Sequence, residues 1–203
     1  MRVLAISGSP KKGGFTDLLL DESLYGARAA GALTDKIILN DLSFKPCQEC
    51  FRCDQAGACV IPDDMSVIYS KIKEADALII ASPIYFGTIT AQLKTMIDRC
   101  NSLWVAKRKL KTVVSSRKLK KGAFICVAGE DRKVYFKNAR AIIRILYSTL
   151  GIIYTNELFV GGLNNEPANS PKRKDALLKS YELGVSLINP VTTSGKQYNK
   201  IKT

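Results

Sequence analysis

Short apolar runs alternate with longer segments that carry an apolar residue every third or fourth position. Arg2-Val3-Leu4-Ala5-Ile6-Ser7 is a continuous run that ends in Gly-Ser-Pro, and it predicts a strand. From Thr16-Asp17 onward, Leu20, Leu24 and Ala27 recur at helical spacing, so a helix follows. Lys36 to Leu39 predicts a second strand, Ser66 to Glu74 a helix, and Ala77 to Ala81 a third strand. Leu93, Met96, Ile97 and Cys100 mark one face of a helix that begins near Ala91. Ala123 to Val127 is the fourth strand, and Ala139, Ile142, Ile143 and Leu146 give the helix after it. Ile152 to Val160 is the fifth strand, and after Gly161-Gly162 a last helix turns Ala176, Ser180, Leu183 and Leu187 inward.

Five strands thus alternate with five helices. Apolar runs without polar alternation suit strands covered on both faces, which points to an α/β, doubly wound, five-stranded parallel sheet in the order 2-1-3-4-5. In such sheets a ligand sits beyond the carboxyl ends of the strands, near the switch point between strands 1 and 3. One domain is expected over residues 1–190, with a Cys-rich loop at 45–65 and a poorly ordered tail at 191–203.

Composition narrows the chemistry. With 203 residues, 46% hydrophobic and 24% charged, the chain is an ordinary globular one, which excludes disordered, collagen-like and coiled-coil classes. Its longest apolar stretches, around Ala77–Ala81 and Ile84–Phe86, fall far short of the roughly 20 residues of a membrane span. The apolar run at the N-terminus is too short for a signal-peptide core, so a cytoplasmic protein is expected. A count of zero His removes Ser-His-Asp and Cys-His catalysis and imidazole metal sites together. The formal charge of +13 is regional: residues 1–100 carry 11 basic and 12 acidic groups, residues 101–203 carry 20 and 6. Eight basic and no acidic residues lie between Lys107 and Lys121, without interleaved aromatics, so no specific nucleic-acid binding is expected there.

The loop after strand 1, Gly8-Ser9-Pro10-Lys11-Lys12-Gly13-Gly14-Phe15-Thr16, joins a strand to a helix start, where backbone N–H groups and the helix dipole favour an anion. A Walker A loop would need Gly-Lys-Ser/Thr where this chain has Gly14-Phe15-Thr16, and the glycines do not give the G-x-G-x-x-G spacing. A phosphate monoester is the better occupant. Ser82-Pro83-Ile84-Tyr85-Phe86-Gly87 follows strand 3, and Ala128-Gly129-Glu130 follows strand 4.

The run ISGSPKKGGFT resembles the flavin phosphate loop of the flavodoxin-like NAD(P)H-dependent FMN reductases, whose usual pattern is G-S-P-R/K-x-x-G-N-T. Ser9, Pro10, Lys11, Gly14 and Thr16 match it, while Phe15 stands where Asn is usual. The Ser82–Gly87 loop resembles the family's S-P-x-Y-x-x loop beside the isoalloxazine ring. The resemblance implies FMN held by Ser9, Lys11, Gly14, Phe15 and Thr16 at its phosphate and by Pro83, Ile84, Tyr85, Phe86 and Gly87 at its ring. Gly129 would approach the ring's far edge.

Cys47, Cys50, Cys53 and Cys59 are spaced C-x2-C-x2-C-x5-C in the loop after strand 2. Four thiols in a compact set suit a [4Fe-4S] cluster, with tetrahedral zinc and an empty thiol loop as the alternatives. Followed by Ile61-Pro62-Asp63-Asp64-Met65, the spacing closely resembles the motif of the iron–sulfur flavoproteins, a branch of the same family. That likeness implies that the four cysteines ligate a cluster which exchanges single electrons with FMN. Cys100 and Cys126, on an apolar helix face and inside a strand, read as core.

The implied function is an FMN-dependent oxidoreductase, with ferredoxin or NAD(P)H as electron donor, a small-molecule acceptor, and a homodimeric or homotetrameric assembly. A cluster-free NAD(P)H-dependent FMN or quinone reductase is the first alternative. A zinc-stabilised, non-enzymatic binding module is the second.

Overall fold

The computed structural model describes residues 1–111 and 120–189. β1 (Arg2–Ser7), β2 (Leu33–Ile38), β3 (Ala77–Pro83), β4 (Lys120–Val127) and β5 (Ile152–Val160) form one parallel sheet in the order β2-β1-β3-β4-β5, as the sequence predicts. Among the described residues the helices are α1 (Phe15–Ala29), α2 (Cys53–Ala56), α3 (Met65–Glu74), α4 (Ala91–Arg99), α5 (Asn101–Arg108), α6 (Lys133–Leu150) and α7 (Pro171–Ile188). The tail at 191–203, and Arg117 and Lys118 of the basic run, lie outside the described residues.

Side chains leave a strand on alternate faces, and the two cores follow from that period. Val3 and Ala5 of β1 join Leu19, Leu20 and Leu24 of α1 and Leu183 and Leu187 of α7. Leu4 and Ile6 join Ile68 of α3, Leu93 and Met96 of α4, and Ile143 and Leu146 of α6. The first layer is closed by direct backbone approach. A Cβ at Gly26 would lie 2.1 Å from the Tyr181 carbonyl oxygen, one at Gly184 1.8 Å from that of Ser23, and the Ser180 hydroxyl donates to the Leu19 carbonyl at 2.6 Å.

Three details depart from the sequence pattern. β2 starts at Leu33, and Leu39 belongs to a single 3-10 turn that follows it. β5 alternates between buried and exposed positions because it is an edge strand, with helix cover on part of its surface only. The helix expected to run through Cys100 breaks there: the Arg99 carbonyl accepts the Tyr69 hydroxyl at 2.7 Å, while the Leu103 N–H turns to the Cys100 carbonyl at 3.0 Å.

The register aligns the carboxyl ends. Ser7 stands opposite Ile38 and Ala81, and Pro83 opposite Val127. The loops after β1, β2, β3 and β4 therefore emerge along one edge of the sheet.

Candidate functional site

The loop after β1 is tied to the loop after β3. Gly8 donates its N–H to the Ala81 carbonyl at 2.8 Å, and the buried Thr90 hydroxyl donates to the Gly8 carbonyl at 2.6 Å. Thr90 also caps α4, accepting from the Leu93 N–H at 3.4 Å, while its own N–H donates to the Ser82 hydroxyl at 3.2 Å. The Ser9 hydroxyl is engaged with the Lys11 backbone, at 3.2 Å from its nitrogen and 3.1 Å from its oxygen. Gly14 is the N-cap of α1 and no side chain caps that helix, so the Phe15 and Thr16 N–H groups, which a helix start cannot pair internally, are free to meet an anion. Lys11 is exposed, and Lys12 pairs with Asp41 at 2.7 Å. One first-turn acid, Asp17, is buried, accepts from the Gly13 N–H at 3.0 Å and forms an ion pair with Lys36 at 2.8 Å. Burial opposes its ionisation, but Lys36 and the Gly13 N–H hold the carboxyl below its ordinary value.

The loop after β3 is a tight turn. The Tyr85 N–H donates to the Thr88 carbonyl at 2.8 Å, the Thr88 N–H returns to Tyr85 at 3.2 Å, and both central residues have positive φ, 49° at Phe86 and 79° at Gly87. Two positive φ values in succession are what a type I′ turn requires, and a side chain at the first of them is strained. The result presents the Phe86 ring wholly to solvent beside a half-exposed Tyr85. Pro83 ends β3, Ile84 is tied to the Val127 carbonyl at 2.7 Å, and Asn138 of α6 donates to the Gly87 carbonyl at 3.2 Å. A rigid platform with an uncovered aromatic tip fits a flat ring system, and the N–H groups at the start of α1 fit its phosphate.

Gly129 answers to a neighbour. A Cβ there would lie 1.9 Å from the Asn164 side-chain oxygen, and Asn164 donates its N–H to the Gly129 carbonyl at 3.1 Å, which locks the loop after β4 against the loop after β5.

Cys47, Cys50, Cys53 and Cys59 all line one cavity, with Phe51, Val60, Ile61 and Arg99. Glu49 and Phe51, on either side of Cys50, both have positive φ, 50° and 55°, so the chain curls tightly there. The thiols are free, and the Arg52 backbone N–H lowers the exposed Cys50 thiol. Burial, then the Asp54 carboxylate and the nearby Cys59 and Cys47, raise that of Cys53. Among the described residues, no group of three or more Cys, Asp or Glu is gathered closely enough to hold a metal ion. The donor set, four soft thiols about one cavity, nevertheless fits an iron–sulfur centre. Cys100 and Cys126 are buried in the core as expected, and burial pushes the Cys100 thiol up to about 12.

The neck of this loop is pinned. Arg99, 1% exposed, donates to the Lys45 carbonyl at 2.7 Å and to both Asp63 oxygens at 2.6 and 3.1 Å, and Asp63 also accepts the Lys45 and Met65 N–H groups, each at 3.1 Å. Burial by itself would raise the Asp63 carboxyl, but Arg99 and these N–H groups hold it below its ordinary value. Sequence reading missed Arg99, Thr90 and Arg173. Arg173 of α7 lies 4.5 Å from the centre of the Phe15 ring, so the Phe that replaces the family's usual Asn is itself occupied.

The sequence profile of the NADPH-dependent FMN reductase family matches residues 1–143. An iron–sulfur flavoprotein of Methanosarcina thermophila is 32% identical over 168 residues, which is 83% of this chain and 84% of that one. Another, from Methanocaldococcus jannaschii, is 45% identical over 103 residues, 51% of this chain and 53% of the relative, so that match spans about half of the relative's length. Among solved structures, an NAD(P)H:quinone oxidoreductase from Methanothermobacter marburgensis has a TM-score of 0.67 at 19% identity, over 92% of this chain and 96% of the other. That likeness concerns the fold. No helix among the described residues is long and apolar enough to cross a membrane. The profile match, and a relative aligned over most of both chains, place this chain in the NADPH-dependent FMN reductase family of flavin-dependent oxidoreductases, in its iron–sulfur flavoprotein branch.

Proposed function

We propose that this chain is an electron-transfer enzyme that uses FMN together with a [4Fe-4S] cluster, moving electrons from ferredoxin or NAD(P)H to a small-molecule acceptor. The observation that carries the reading is the convergence of four thiols on one cavity, in a loop that leaves the same sheet edge as the phosphate and ring loops. When bound, FMN supplies hydride acceptance with single-electron release, and the cluster supplies one-electron storage. The chain's own residues bind and orient. The Phe15 and Thr16 N–H groups and Lys11 hold the phosphate, the Pro83–Gly87 turn sets Tyr85 and Phe86 against the ring, and Gly129 bounds the ring's far side. Cys47, Cys50, Cys53 and Cys59 hold the cluster. No protein base is needed, in keeping with a chain that has no His.

The test is an absorbance spectrum of anaerobically purified protein before and after dithionite, with iron and acid-labile sulfide measured on the same sample. The expected result is flavin bands over a broad bleachable shoulder, with about four irons per chain. Cys50→Ser should lose the shoulder and the iron and keep the flavin; undiminished iron in that variant would remove Cys50 from the ligand set. Flavin without iron would support the second reading, a cluster-free NAD(P)H-dependent FMN or quinone reductase. One observation favours that alternative: the thiols share a cavity without being gathered into a metal-holding group.

A further inference from the structure

We propose that Arg99 is a positioning residue for the four-cysteine site, placing a fixed positive charge and an N–H donor against the sulfur-held centre and so raising its reduction potential. The inference rests on the iron–sulfur reading above. It starts from an oddity of burial. Arg99 is the largest fully buried side chain among the described residues, although a guanidinium is among the costliest groups to take out of water. A clamp on the loop neck needs only part of it. Nη1 and Nη2 already satisfy the Lys45 carbonyl and the Asp63 carboxylate, at 2.6 to 3.1 Å.

Two features lie beyond the clamp. Arg99 lines the cavity that the four cysteines share, Cys59 among them. Its Nε is buried with no acceptor. An orphan donor of this kind is costly to bury, most of all on a charged group, and its place beside four thiols suits an acceptor held by them. Thiolate and sulfide sulfurs are acceptors. Adding one electron to a centre they hold adds one negative charge, with no bond made or broken, and a nearby cation with N–H donors lowers the cost of that charge. Asp63 opposes it from the other side of the same ion pair. The two residues should therefore move the potential in opposite directions, which a role confined to holding the loop would not do.

The experiment takes the full chain, wild type and the variants Arg99→Gln, Arg99→Lys and Asp63→Asn. Each is reconstituted anaerobically with FMN, ferrous iron and sulfide, assayed for iron, and titrated potentiometrically against the cluster absorbance. Arg99→Gln is expected to lower the midpoint potential, Asp63→Asn to raise it, and Arg99→Lys, which keeps the charge without the fork, to fall between wild type and Arg99→Gln. Should Arg99→Gln hold no iron while still binding FMN, Asp63→Asn and Arg99→Lys decide alone. A midpoint for Asp63→Asn at or below that of wild type overturns the proposal, as do equal midpoints across the iron-loaded set. A wild-type chain that binds FMN and takes up no iron fails at the earlier step, and overturns the iron–sulfur reading together with this one.

Discussion

An aromatic ring left wholly in water gains nothing from burial, and one held at positive φ carries strain of order 1 kcal/mol besides. Phe86 has both features, at the tip of a turn whose backbone is otherwise hydrogen-bonded on each side. Phe86→Gly should therefore raise stability by up to about 1 kcal/mol and weaken FMN binding roughly tenfold through loss of an aromatic contact. A thermal melt and a flavin fluorescence titration check the two halves, and unchanged affinity would take Phe86 out of the ring site. Asp63 gives a second residue-scale expectation. Its carboxyl is held below the ordinary 3.8 by Arg99 and backbone donors despite burial, so its contribution is complete above the unfolded value and fades as pH falls below it toward the folded one. Asp63→Asn should flatten the acid side of the stability curve below about pH 4, measured by urea unfolding at stepped pH. Phe86 was legible in the sequence, but the Arg99–Asp63 pair was not: Arg99 lies beside the apolar face of Leu93, Met96 and Cys100, where a basic residue reads as solvent-facing, and only the fold brings Lys45 and Asp63 to it.

At the scale of elements, the helix pair α1 and α7 meets backbone to backbone. Gly184→Ala would place a methyl 1.8 Å from the Ser23 carbonyl, with no flexible side chain to yield. The expected cost is about 1–3 kcal/mol, from the forced separation of the two helices; urea denaturation measures it, and a loss under 0.5 kcal/mol would mean that the helices slide freely apart. Periodicity gave the five strands and their helices because each buries a continuous face, and it missed where neighbours decide. The break at Cys100 needs the Tyr69 hydroxyl from α3, and the alternation in β5 needs knowledge that this strand is an edge. α2, one turn inside the cysteine loop, is too short to show a period.

For the whole molecule, strand order and the edge that bears the site were legible because a parallel sheet with helices on both faces leaves few ways to connect. The loops that the motifs singled out do emerge side by side: Ser7 stands opposite Ala81, and two residues further along β3 Pro83 stands opposite Val127. The non-enzymatic alternative gives way to a flavin-dependent oxidoreductase once the family is known. What the chain alone could not disclose is how the cysteine loop is fastened. Seventeen residues separate Lys45 from Asp63, and bringing the ends of so long a free segment together carries a length-dependent entropy cost of about 2.5 kcal/mol. The Arg99 fork meets that cost when the domain folds. On the proposed iron–sulfur reading, a metal centre would then have to order only the interior of a closed ring, an advantage of roughly seventyfold in the binding constant over the same thiols on an open chain.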